Sequence, residues 1–304
     1  MENGLIVHGI TKNLDGFKLD HVSFSLEPGQ ILGMIGVNGS GKTSLIRYML
    51  GLYRNILPED SGAIQLCGYR QSDNTREYKD RIAYVLKDSC FSEIEKVLEM
   101  GELHGRYYKN FSMKRYREWL ARYGIPEKKM LGQLSQGEKI KQQLAFALSY
   151  DAVLYLFDEP AGNLDVDFRD TFYRLMRELV SDEKKMVIYA THLVEEIETV
   201  ADQILWMDKK ENAGRVRFFG SIYELRDNFR IVEASAEDLK MLPEGMIVGK
   251  RLTESCSEVM VDIRRGRLPE TINGRIRFAD IREIMYFSLK RDHIEKGVWR
   301  CRSR

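Results

Sequence analysis

Apolar residues along this chain fall into runs whose periods separate strands from helices. Gln30-Ile31-Leu32-Gly33-Met34-Ile35 is a short run of buried-strand type that stops at a glycine-rich stretch, and Ser44-Leu45-Ile46-Arg47-Tyr48-Met49-Leu50 then spaces its apolar positions helically up to Gly51. Residues 152–157 and 186–190 are apolar on both sides, the pattern of strands covered on both faces, and residues 168–180 between them form an amphipathic helical pattern. Together these three segments predict a βαβ crossover with parallel strands. Leu5-Ile6-Val7 and Val22-Ser23-Phe24-Ser25-Leu26 flank a polar turn at residues 13–16. They predict an antiparallel edge lying next to the strand at Ile31. Further strands are expected at residues 63–67, 81–86 and 203–207, with a hairpin-like segment at 214–220.

Between Phe91 and about Leu148 the period changes to helical. Ile94, Val97, Leu98 and Leu103 are expected on one buried stripe, and Met113, Tyr116, Trp119, Leu120 and Tyr123 on another. This predicts an α-helical insert over residues 88–148 within a larger domain spanning 1–220. Residues 221–304 carry β-like segments at 246–248 and 258–263, then a helix with Ile281, Ile284, Met285 and Leu289 on one face. They are expected to form a small α+β accessory domain. The whole reads as an α/β protein with a mixed sheet.

Composition narrows the partners. The 304 residues, 43% of them hydrophobic, suffice for one large core and one smaller one. Lys plus Arg total 47 against 46 for Asp plus Glu, so no overall field favours nucleic acid, and none is expected as a partner. Cys67, Cys90, Cys256 and Cys301 show no metal or disulfide spacing and fit a reducing compartment. The longest apolar runs are far below the ~20 residues that cross a bilayer, so a membrane role is expected to run through a partner.

The chemistry concentrates in four places. Gly36-Val37-Asn38-Gly39-Ser40-Gly41-Lys42-Thr43 fits the phosphate-binding P-loop. Its residues Asn38, Gly39, Ser40 and Gly41 turn backbone N–H groups inward around a polyphosphate, Lys42 reaches the β and γ phosphates of a nucleotide, and the Thr43 hydroxyl suits Mg²⁺. The apolar run at 152–157 stops at Asp158-Glu159, where Asp158 is placed to hold Mg²⁺ and Glu159 to polarise a water. The run at 186–190 stops at Thr191-His192. Because ligands bind beyond the carboxyl ends of parallel strands, these residues are expected on one rim with the P-loop. Leu134-Ser135-Gln136-Gly137-Glu138 precedes a helix. There Ser135 and Glu138 can form a capping box, and Ser135, the Gly137 amide and the helix N-terminus can also face an anion.

These elements, with Asn163-Leu164-Asp165, resemble in order and spacing the ATP-binding cassette ATPases over about residues 4–220. The resemblance implies the P-loop NTPase fold of that family. It further implies a head-to-tail dimer, homo- or heteromeric, in which each ATP is held by one copy's P-loop and the other's Ser135, Gly137 and Glu138. It makes Glu159 the catalytic base, His192 a γ-phosphate sensor, Ser44 a further phosphate contact and Asp165 part of the loop linking the sites. It also implies an integral membrane subunit as partner and a place on the cytoplasmic face of the membrane. Gly105-Arg106-Tyr107-Tyr108, Phe111 and the accessory domain resemble ATPases of small exporters of antimicrobial peptides or phenol-soluble modulins.

Three positions depart from the family pattern. Gln136 stands where Gly is commonest, and Glu138 where Gln is. Lys87 stands where a metal- and water-contacting Gln is usual, and a charged lysine has no lone pair for a metal. Either it is merely exposed, or coupling to the partner differs. For the adenine-stacking residue, Leu14 lies in the usual register, but Phe17 offers an aromatic face and is the choice here. A soluble cassette outside transport and a non-hydrolysing regulatory cassette are the alternatives.

Overall fold

The structure, a computed structural model, describes residues 4–53, 57–73, 75–88, 91–252, 257–269 and 271–295. It divides into two compact units, Met1–Phe219 and Gly220–Arg304. In the first, β1 (Leu5–Leu14) and β2 (Phe17–Leu26) form an antiparallel pair, and β3 (Ile31–Ile35) leads through the glycine-rich loop into α1 (Lys42–Met49). Then follow β4 (Ser61–Leu66), β5 (Tyr69–Arg70), α2 (Arg76–Lys79) and β6 (Ile82–Val85), and the helices α3 (Val97–Gly105), α4 (Met113–Arg122) and α5 (Gln136–Ala147). The unit closes with β7 (Leu154–Asp158), α6 (Val166–Val180), β8 (Met186–Ala190), α7 (Val194–Val200), β9 (Gln203–Lys210) and β10 (Ala213–Ser221).

Among the described residues the strands run in the order β5-β4-β1-β2-β10-β9-β3-β8-β7-β6. The neighbours β6, β7, β8, β3 and β9 are parallel, and every residue of β3, β7 and β8 is buried. Continuous apolar runs are what such doubly covered strands require. The β1–β2 pair is not beside β3 as the pattern suggested, because β9 and β10 stand between them. The reason is local: Ile204 and Leu205 are fully buried, so β9 takes the interior place, while the alternating burial of β2 suits it to the half-exposed flank.

The expected stripe in the helical insert needs correction. Ile94 lies ahead of α3 and is 83% exposed, and Leu103 is exposed too. Of that stripe Val97 is buried and Leu98 half-buried, and the helix adds Met100, Gly101 and Gly105 to its buried face. A Cβ on Gly101 would come within 2.3 Å of the Tyr116 ring, so this face is set by glycines that let aromatic rings approach rather than by apolar period. The second stripe is as read, with Tyr116 and Leu120 buried and Met113, Trp119 and Tyr123 half-buried.

The second unit contains α8 (Ile222–Asp227), β11 (Phe229–Ala234), α9 (Ala236–Leu239), β12 (Ile247–Leu252), β13 (Ser257–Asp262), β14 (Gly274–Phe278) and α10 (Ile281–Glu295). Its antiparallel sheet runs β12-β13-β11-β14. The sequence reading missed β11 and β14. Arg230 and Glu233 interrupt the apolar run of β11 although Ile231 and Val232 are fully buried, and β14 is almost wholly exposed. Ile281, Ile284 and Phe287 turn one face of α10 inward. Cys90, Cys256, Cys301 and the terminal Lys296, Arg300, Arg302 and Arg304 lie outside the described residues, as does the Leu289 side chain.

Candidate functional site

Three parallel strands end level with one another. Met34 of β3 pairs with Ala190 of β8, which pairs with Asp158 of β7. The ladder continues one residue further, with Glu159 N–H donating to Ala190 O at 2.9 Å and Thr191 N–H to Met34 O at 3.1 Å. The glycine-rich loop, Glu159 and His192 are thereby brought to a single rim.

A cleft of about 520 Å³ opens there, lined by residues that include Phe17, Asn38, Gly39, Gly41, Lys42, Thr43, Ser44, Lys87 and Glu159. Gly41 precedes α1 with φ 99°, and a Cβ there would stand 2.8 Å from Leu19 and 2.9 Å from the Phe17 ring. Only glycine lets the loop lie this close to Phe17. Lys42 is buried and donates to Gly36 O at 2.7 Å. Burial pushes its ammonium below the ordinary lysine value, against the pull of Glu159 and Asp158.

Asp158 is 1% exposed; burial raises its carboxyl above the ordinary range, against a hydrogen bond with Thr43. Its Oδ1 has no partner, nor does the buried Ser40 Oγ. Glu159 adopts φ 50°, a left-handed conformation that is uncommon for a non-glycine residue. Its Oε1 lies 3.2 Å from His192 Nδ1 and its Oε2 3.0 Å from Lys87 Nζ. Burial works to raise the Glu159 carboxyl, but Lys87 and His192 outweigh it and hold the group below its usual value.

Ser135 and Gly137 are not in this cleft. Ser135 N-caps α5: its Oγ accepts from Glu138 N–H at 3.2 Å, and Glu138 Oε2 accepts from Ser135 N–H at 2.7 Å. The Glu138 carboxylate also pairs with Lys129 at 3.3 Å, while Ser135 remains exposed. Asp165 N-caps α6 and pairs with Lys141 of α5 at 2.9 Å.

The sequence reading missed two contributors, Lys209 and Glu196, and left open which way Lys87 faces. Lys209 closes the cleft from the end of β9, its ammonium 3.6 Å from where a Gly39 Cβ would stand. The rule that ligands gather at carboxyl strand ends could have found it, had it been applied to β9 as well as β7 and β8. Glu196 of α7 is buried and accepts from the Tyr189 and Thr191 hydroxyls, fixing the turn that carries His192. Lys87 faces Glu159 rather than solvent alone.

The sequence profile of the family described as ABC transporter matches residues 19–162. The chain is 30% identical over 239 residues to the ABC-type transporter ATP-binding protein EcsA of Bacillus subtilis, covering 73% of this chain and 88% of that protein. It is 30% identical over 230 residues to the methionine import ATP-binding protein MetN of Corynebacterium efficiens, covering 71% and 61%. Among solved structures, the dimeric ATP-binding cassette MJ0796, in a post-hydrolysis state bound to ADP and Pi, superposes with a TM-score of 0.61 at 19% identity. That match covers 71% of this chain and 98% of that one.

Proposed function

This chain belongs to the ABC transporter family of ATP-binding proteins, and from that premise we propose that the rim cleft is its site of ATP hydrolysis, driving a separate membrane subunit. The observation that carries the reading is the convergence of Lys42, Thr43 and Glu159 on one cleft, with Asp158 hydrogen-bonded to Thr43 and one buried Asp158 oxygen left unpaired.

Hard oxygen donors, the Asp158 carboxylate and the Thr43 hydroxyl, fit Mg²⁺, and the orphaned Oδ1 is what such an ion would satisfy. When bound, Mg²⁺ would supply positive charge to the phosphate oxygens. The chain's own residues do the rest. Lys42 gives up the Gly36 carbonyl for phosphate oxygens, and the amides of residues 38–41 with Ser44 cradle the remainder. Phe17 offers its ring to adenine. Glu159, kept ionised by Lys87 and the His192 hydrogen bond, accepts the proton of the attacking water, and His192 orients it toward the terminal phosphate.

Ser135 and Gly137, exposed or half-buried and outside their own cleft, would complete the site of a second cassette, with Glu138 holding the Ser135 turn in shape. This is tested by the solution mass of the Glu159→Gln protein with ATP and magnesium. A doubled mass, lost on Ser135→Arg, supports the pairing; a single-chain mass at saturating ATP opposes it.

The membrane subunit would dock in an apolar groove of about 210 Å³ lined by Leu50, Leu52, Tyr78, Ile82, Tyr84, Leu86 and Tyr108, suited to an amphipathic helix. No helix among the described residues is long and apolar enough to cross a membrane. A peripheral place on the cytoplasmic face follows from such docking. Export of a peptide or amphipathic compound rests on the resemblance of residues 105–111 to small exporters, while the similarity to MetN favours import as the second reading. Cells lacking this chain should retain the compound under export and fail to accumulate it under import.

A further inference from the structure

Lys87 follows β6 at a point where the preceding backbone is pinned and its own side chain is largely exposed. Gln143, buried in α5, accepts from Leu86 N–H at 3.0 Å and donates to Leu86 O at 3.1 Å, so the residue before Lys87 is pinned from both sides. The Lys87 side chain itself is 57% exposed and lines the cleft beside Lys42 and Thr43. Its ammonium takes one Glu159 oxygen while His192 takes the other. The residue proposed as base thus has a partner on each oxygen, and one of those partners is a largely exposed cation on a fixed root.

A terminal phosphate carries more negative charge than a carboxylate, and in the same cleft the larger charge draws an exposed ammonium more strongly. Resting on the reading of this cleft as a nucleotide site, we propose that Lys87 selects triphosphate over diphosphate. Its ammonium exchanges Glu159 for the terminal phosphate, freeing one Glu159 oxygen only when a third phosphate is present. Lys87 is therefore a positioning residue for Glu159 and a binding residue for the nucleotide. A diphosphate, lacking the outermost group, leaves the Lys87–Glu159 pair in place. The pinning of Leu86 by Gln143 further ties the root of Lys87 to the helix that begins at Ser135.

The experiment is equilibrium binding of a β,γ-imido ATP analogue and of ADP, without magnesium, to the full chain and to Lys87→Gln, Lys87→Met and Lys87→Arg. Gln and Met should weaken analogue binding by about tenfold, the scale of one charge-assisted contact, and leave ADP binding unchanged. Arg should preserve the preference. Glu159→Gln should tighten analogue binding when Lys87 is present and have no such effect in the Lys87→Gln background, the coupling a double-mutant cycle reads. An unchanged analogue-to-ADP ratio in Lys87→Gln and Lys87→Met, or equal losses for both nucleotides, overturns the inference. Lys42→Ala keeps the two claims apart: if it spares ADP binding, the nucleotide reading fails. If it abolishes binding while the Lys87 variants keep the wild-type ratio, only the Lys87 proposal falls.

Discussion

At the rim of the parallel strands, Asp158 Oδ1 and Ser40 Oγ are buried without a partner. In the second unit the equally buried Asp262 is closed by Arg264 at 2.8 Å and Arg265 at 3.1 Å, and Arg277 binds Glu233 at 2.8 Å and Glu283 at 2.6 Å. Both regions remove carboxylates from water, yet Asp158 keeps one oxygen unanswered where Asp262 has a partner on each. A buried polar group without a hydrogen bond costs about 1–3 kcal/mol, so the open Asp158 oxygen carries a standing destabilisation that the paired carboxylate of Asp262 avoids. Polar groups left open in this way persist where an incoming ligand satisfies them. The contrast separates a region shaped for chemistry from one shaped to hold together.

Three substitutions probe that contrast, and the largest effect is expected at the rim. Glu159→Gln should lower the steady-state rate of ATP hydrolysis by about a thousandfold while the protein still binds ATP, as removal of a positioned base requires. Turnover at the wild-type rate would remove Glu159 from the mechanism.

The next pair of changes should move stability in opposite directions. Asp158→Asn removes a buried charge and should raise the unfolding temperature by about 2–4 °C in melts without nucleotide, although it disables hydrolysis. Glu283→Gln should lower stability by about 0.5–1 kcal/mol near neutral pH, a value reduced by solvent screening. The hydrogen bonds from Arg277 hold the Glu283 carboxyl below its ordinary value. Its stabilisation is therefore complete above the unfolded value of about 4.3 and is lost as pH falls through the lower folded value. Acid denaturant titrations of wild type and Glu283→Gln should accordingly converge as the pH drops below that window. A destabilised Asp158→Asn, or a gap for Glu283→Gln that widens in acid, would break the contrast.

How much of this was legible in the sequence depended on whether the deciding contacts were local. The doubly apolar runs before Asp158 and His192 dictated buried parallel strands, and their level ends followed from the topology such runs adopt. The capping box at Ser135 and Glu138 was readable because both partners lie within one helical turn. The buried face of α3 was not, since Gly101 and Gly105 contribute by having no side chain for Tyr116 and Phe111 to meet. Nor was the sheet position of the β1–β2 pair, which depends on where β9 and β10 insert. The Lys87–Glu159 contact joins residues 72 apart in sequence, and nothing in either neighbourhood announces it. In the second unit, charged residues within β11 hid a central strand in which the consecutive Ile231 and Val232 are fully buried.

The central claim is that the open polar groups at the rim of the first unit form a nucleotide site built around Lys42. Calorimetric titration of ATP into the full chain and into Lys42→Ala tests it most directly. One ATP per chain for the wild type and no detectable heat of binding for Lys42→Ala is the predicted result. Equal affinity and stoichiometry for the two proteins would contradict it.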